Sequence, residues 1–110
     1  MKKLILAIIL FTSYTINSQK IYVVDSPFKA DIKVYVVDSP FKADLLVFKV
    51  NSQFKAGDND GKWFFVNSQF KAKKKIFFVN SQFKADLKIY FVSSQFKAGW
   101  KESSKKHLLY

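Results

Sequence analysis

The chain has 110 residues and no cysteine, and its 19 basic residues are all lysine, against eight acids, for a net charge of +11. The missing cysteine excludes a disulfide scaffold and a thioether-linked lipid anchor. The missing arginine removes the planar fork that reads guanine edges and grips phosphates in a bidentate way. The charge therefore reads either as a solvated surface or as point-charge attraction to a polyanion.

At the start of the chain, Lys2 and Lys3 precede an apolar run from Leu4 to Phe11 and a polar stretch from Thr12 to Ser18. This is the three-part layout of a secretory signal peptide. The run is too short to span a bilayer, which takes about 20 apolar residues in a helix. Cleavage is expected between Ser18 and Gln19, leaving no transmembrane span and a secreted or periplasmic domain of residues 19–110. Removing Lys2 and Lys3 leaves 17 lysines against eight acids. The full chain is 49% apolar with 13 Phe, five Tyr and two Trp, and all of these rings but Phe11 and Tyr14 fall in that domain, where each can bury ~150–250 Å². A core without crosslinks is within its reach.

Beyond Ser18 the chain repeats itself. The phrase Ser-(Pro/Gln)-Phe-Lys-Ala begins at Ser26, Ser39, Ser52, Ser68, Ser81 and Ser94. A fixed period marks one small unit used several times, here about 13 residues long. Ahead of each phrase stands an apolar tetrad: Ile21–Val24, Val34–Val37, Val47–Val50, Trp63–Val66, Ile76–Val79 and Ile89–Val92. Its second place is always aromatic and its fourth always Val. β-Branched and aromatic residues in short runs predict strands. Both faces of these strands are apolar apart from Lys49, so both faces should be covered.

Each strand is followed by Asp, Asn or Ser (Asp25, Asp38, Asn51, Asn67, Asn80, Ser93), which opens a turn by bonding its own backbone. Pro27 and Pro40 fix φ in the first two turns. The ring in each phrase (Phe28, Phe41, Phe54, Phe70, Phe83, Phe96) is expected to plug the core. The alanines leave room for close approach of neighbouring chain.

Between the third and fourth units Gly57-Asp58-Asn59-Asp60-Gly61 is inserted, which divides the repeats three and three. After the sixth, an irregular stretch from Gly99 to Lys106 leads to His107–Tyr110, read as a closing strand.

The repeated Asp/Asn-Ser-Pro/Gln-Phe-Lys-Ala units, the three-plus-three layout and the Lys-Lys-His-Leu-Leu-Tyr end resemble the septafoil knot domain family of small secreted bacterial proteins. The resemblance spans residues 20–110. It implies that the two halves wind around each other, so that each strand is covered by the other half. The fold expected is all-β, about seven short strands in two halves of three plus a closing strand, and knotted. The alternative from the repeats alone is an unknotted meander or small barrel. The resemblance carries no activity and no catalytic residues.

Sites of chemistry are scarce. Setting Gly61 at the sixth place of a calcium-binding EF-hand loop puts Ala56 first and Asn67 twelfth, where an acid and a bidentate Glu are needed, so the insertion reads as an exposed turn. His107 is the single histidine, too few for zinc, and no Gly-x-Ser-x-Gly elbow accompanies the serines. No catalytic, cofactor or metal residues are expected.

One constellation remains, the lysines Lys29, Lys42, Lys55, Lys71, Lys84 and Lys97, thickened by Lys73, Lys74 and Lys75. Repeat symmetry sets the six at equivalent points, where they could meet an acidic glycan or nucleic acid. Asp31, Asp44 and Asp86 are expected to neutralise some of them. The functional expectation is a monomeric, non-enzymatic structural or interaction protein, with polyanion binding as the alternative.

Overall fold

The computed structural model describes residues 19–110. The expected leader and Ser18 lie outside the described residues. Seven strands alternate with short 3-10 helices: β1 (Lys20–Val23), β2 (Ile32–Val36), β3 (Leu45–Lys49), β4 (Lys62–Phe65), β5 (Lys74–Phe78), β6 (Leu87–Phe91) and β7 (Gly99–Trp100). Six of the 3-10 helices are the repeated phrases, η1 (Pro27–Lys29), η2 (Pro40–Lys42), η3 (Gln53–Lys55), η4 (Gln69–Lys71), η5 (Gln82–Lys84) and η6 (Gln95–Lys97). The seventh, η7 (Ser103–Leu109), ends the chain.

The strands stand in the order β4-β1-β5-β2-β6-β3, and β3 pairs back onto β4. These six form a closed barrel in which every pair is parallel. The antiparallel pairing of a meander is confined to the short β7, which joins β3. Each strand of the barrel is flanked on both sides by strands of the other half, so the two sets of three interleave around one core.

One register rule runs around the whole barrel. The third tetrad residue of each strand stands opposite the first of the next: Phe65 and Ile21, Val23 and Ile76, Phe78 and Val34, Val36 and Ile89, Phe91 and Val47, Lys49 and Trp63. This makes the six units equivalent about the barrel axis. It also explains the short period. Parallel strands ordinarily need a connection of a dozen or more residues to return to their starting level. Here Val23 and Ile32 both lie opposite Ile76, so β2 begins at the hydrogen-bonding level where β1 ends, and strand tilt does the rest. The short turn between them suffices.

The connections η1, η2, η4, η5 and η6 cross the outside of the strand lying between the two they join, packing on β5, β6, β1, β2 and β3, whereas η3 joins the directly paired β3 and β4 and packs on β4. The outer aromatics Tyr22, Tyr35, Phe48, Phe64, Phe77 and Tyr90 are half-buried as a result. This is the cover that strands apolar on both faces required.

Inside, the first tetrad residues Ile21, Val34, Val47, Trp63, Ile76 and Ile89 are all fully buried and make one complete layer. Ile32, Leu45 and Leu87 fill the layer toward the strand N-termini. A six-stranded barrel is narrower than the eight-stranded kind that side chains just fill, so these aliphatic chains and one Trp complete it.

The floor at the N-terminal end is closed by η7. Leu109 is fully buried in the core, and Gln19 Nε2 donates to the Leu109 carbonyl at 3.4 Å. The expected closing strand at His107–Tyr110 is therefore a 3-10 segment, and the seventh strand lies earlier, at Gly99–Trp100. The inserted loop is not simply an exposed turn either. Asn59, buried and at φ 64°, donates to the Lys106 carbonyl at 2.9 Å, and its own carbonyl accepts from Trp100 Nε1 at 2.9 Å. Gly61 has φ +93°, and a Cβ there would meet the Leu46 carbonyl oxygen at 2.4 Å. The insertion is thus part of the floor that receives the tail.

Candidate functional site

Every repeated phrase builds the same turn. Its Ser is extended, and its Oγ accepts from the backbone N–H of the Phe two residues on, at 3.2–3.3 Å in all six. The Ser, rather than the Asp or Asn before it, caps the short helix. Its carbonyl then accepts from the Lys N–H, and the Pro or Gln carbonyl from the Ala N–H. With its backbone held this way, the central Phe projects from the apex.

The six rings do not plug the core. Phe28 is 97% exposed, and the other five lie between 87% and 90%. The physical reason is the completed interior described above, together with the crossing of each turn on the outside of a strand. A ring at the apex of such a turn points away from the axis it encircles.

Because the six strands share one register, the six rings stand at equivalent points around the outside of the barrel. The tail reaches one of them, with Lys101 Nζ 5.2 Å from the centre of the Phe41 ring. Within the mouth at the C-terminal ends of the strands stand the third tetrad residues. Val23 and Val36 are 40% and 41% exposed, and Phe65, Phe78 and Phe91 pack down on the core. Lys49 holds the sixth place, its Nζ 4.6 Å from the Phe91 ring centre and 5.4 Å from that of Phe65. A cation over ring faces explains why this one place tolerates a charge.

The turn lysines follow the rings around the barrel, as repeat symmetry predicts, but they are not electrostatically alike. Lys29 Nζ meets Asp25 at 3.1 Å and Lys42 Nζ meets Asp38 at 3.0 Å. Each lysine holds its partner carboxyl below the ordinary carboxylate range, first through the hydrogen bond and then through its charge. In the other four units Asn51, Asn67, Asn80 and Ser93 replace the aspartate. No ion pair among the described residues involves Lys55, Lys71, Lys84 or Lys97.

Asp31, Asp44 and Asp86 do not neutralise the turn lysines. Each accepts a backbone N–H from the adjoining strand, from Lys75, Lys88 and Lys33 respectively, at 2.8–2.9 Å. The same aspartates donate their own N–H to the carbonyls of those three residues. They are clamps of the crossover. Asp44 adds an ion pair with Lys105 at 3.1 Å. Lys74 and Lys75 open β5, and Lys73 stands directly before it.

Between neighbouring turns run grooves that repeat with the sequence. One of about 640 Å³ is walled by Phe83 and Lys84 against Pro27, over Phe77. Its counterpart, of about 750 Å³, is walled by Phe70 and Lys71 against Gln53, over Phe64. Two further grooves, of about 390 and 440 Å³, face Lys42 and Lys29 from the other sides of Phe83 and Phe70. Each places an exposed ring, an apolar floor and a lysine side by side.

Sequence reasoning identified the lysines and missed their aromatic neighbours. The signal was there: each Phe sits between Pro or Gln and Lys in a phrase with no other large apolar residue beyond the occasional Pro. Such a turn has no apolar face to bury.

The architecture defines a small structural domain, one chain wound nearly twice around its own parallel barrel with the two windings interleaved. No curated protein and no solved structure matches the chain. It matches the 7(1) septoil knot domain over residues 18–101, and it belongs to that family, as the resemblance in its repeats implied.

Proposed function

We propose that this domain is an exported, non-enzymatic interaction module whose working surface is the set of six Phe–Lys turns. The observation that carries this reading is the sixfold presentation of nearly bare phenylalanines by a frame whose core is complete without them. An exposed ring contributes nothing to the fold and costs solubility, so repeated exposed rings mark a contact surface. The non-enzymatic part is supported by the use already made of the polar groups. The repeat serines cap turns, and His107 Nδ1 lies 3.0 Å from the Ser104 carbonyl, within η7. Export rests on the Lys2–Ser18 layout, and N-terminal sequencing of protein recovered from outside the cytoplasm should begin at Gln19.

The second reading, polyanion binding through the lysines, is favoured by the four turn lysines without an aspartate before them. Both readings meet in one experiment, a salt-resolved titration of the full chain with heparin and with single-stranded DNA. Replacing Lys55, Lys71, Lys84 and Lys97 by Gln should weaken binding and flatten the slope of log K against log salt. Removing the rings should weaken it at every salt concentration. If neither substitution set changes binding to any anionic probe, the turns are not the working surface.

A further inference from the structure

We infer that the Phe–Lys turns dock the barrel on a membrane surface containing anionic lipid. The inference rests on the reading of the turns as the working surface and names what they contact.

Three features select this occupant. The first is the degree of exposure, 87–97% for all six rings. A stacking ligand such as a base or a sugar covers one face of a ring and leaves the other wet. Only a medium that surrounds the ring removes nearly all of its surface from water, and the headgroup–acyl boundary of a bilayer is such a medium. The second is placement. One common register sets the six turns at equivalent points around the barrel, and neighbouring turns border shared grooves, so the rings of neighbouring turns can meet one surface together.

The third is charge. Each ring is followed directly by a lysine, whose stem can lie along apolar surface while its ammonium stays at headgroup level. Four of these lysines stand free of the ion pairs that hold Lys29 and Lys42. With 19 lysines against eight acids, the chain is attracted to a negative leaflet. The same charge opposes a second copy of the chain as the occupant, since two such surfaces would bring like charges together.

The test is flotation of the full chain with phosphatidylcholine vesicles, with and without phosphatidylglycerol. It compares the native sequence, a variant with Phe28, Phe41, Phe54, Phe70, Phe83 and Phe96 replaced by Ser, and a variant with Lys55, Lys71, Lys84 and Lys97 replaced by Gln. All three share residues 1–18, so differences among them belong to the turns. Circular dichroism and melting should confirm that each is folded, as expected for substitutions at exposed positions.

The native chain should partition onto phosphatidylglycerol vesicles more than about tenfold better than the six-Phe variant, since burying even one Phe is worth about a factor of ten or more. The lysine variant should lose most of the preference for anionic over neutral vesicles. In a single-site reporter, Phe83→Trp, brominated acyl chains should quench the fluorescence of the introduced indole relative to unbrominated vesicles. If the six-Phe variant floats as well as the native chain, or the Phe83→Trp reporter shows no quenching beyond that of the native chain, the membrane inference is overturned. Heparin or single-stranded DNA binding that needs the turns, without turn-dependent vesicle binding, overturns the membrane inference and leaves the interaction module standing. If neither vesicle binding nor heparin or single-stranded DNA binding depends on the turns, both readings are overturned.

Discussion

At the scale of single residues, the fold separates two kinds of large apolar side chain that composition treats alike. Ile76 is fully buried in the layer of first tetrad residues, and Phe83 is 90% exposed. Ile76→Ala should lower stability by about 2–5 kcal/mol, whereas Phe83→Ala should change it by no more than about 0.5 kcal/mol. Urea melts of the two variants check this, and a large loss for Phe83→Ala would mean that its ring packs inward. The aspartate clamps offer a second comparison. Asp31 and Asp44 each hold a backbone N–H of the neighbouring strand, but only Asp44 is buried and also pairs with Lys105. Asp44→Ala leaves a half-buried amide and an ammonium without their partner, and should cost about 1–3 kcal/mol. Asp31→Ala, where water can replace the carboxylate, should cost clearly less.

At the scale of elements, the strands were legible and the turns were not. β-Branched and aromatic tetrads locate β1 to β6, because short runs of such residues suit a pleated strand. Both faces were apolar, which pointed to double cover, and the crossovers supply it. The polar neighbours of each turn ring were the one local trace of its outward orientation, which is decided by whether the interior already has its volume, a property of six strands together. The end of the chain misled for a related reason. His107-Leu108-Leu109-Tyr110 looks like a strand, but Ser103–Leu109 coils across the barrel floor and buries Leu109 there. Deleting Lys105–Tyr110 should therefore open the floor of the core and remove the Lys105–Asp44 pair. A loss of at least about 2–5 kcal/mol is expected, the range for Leu→Ala truncation at Leu109 alone. Thermal melting of the truncated chain checks it, and an unchanged midpoint would show that the tail does not cap the barrel.

For the whole molecule, the interleaving decides how the chain can reach its fold. Pairings within a half are absent from the barrel, because every one of its strands pairs with strands of the other half. The bonds that fix the crossovers join residues 44 and 53 positions apart, as between Asp31 and Lys75 or Asp86 and Lys33. Among the barrel strands only β3 and β4, on either side of the insertion, pair at short range. The early steps of folding thus gain little from local pairing while they close long loops, and loop closure must precede the contacts that repay it. Winding the second half between the strands of the first adds a topological requirement that few folds carry. Refolding should be slow even beside other β-barrels, which take about milliseconds to seconds. The same interleaving should make unfolding slow, because no strand can leave without breaking pairings with both of its neighbours. Stopped-flow and manual-mixing chevrons would measure both arms, and Pro27→Gln and Pro40→Gln variants would separate winding from proline isomerisation, which is slow in its own right. Refolding over about seconds or longer, unchanged in the two variants, is the expected result. Sub-millisecond refolding, or a slow phase abolished by those substitutions, would mean that winding the two halves together is not what limits the rate.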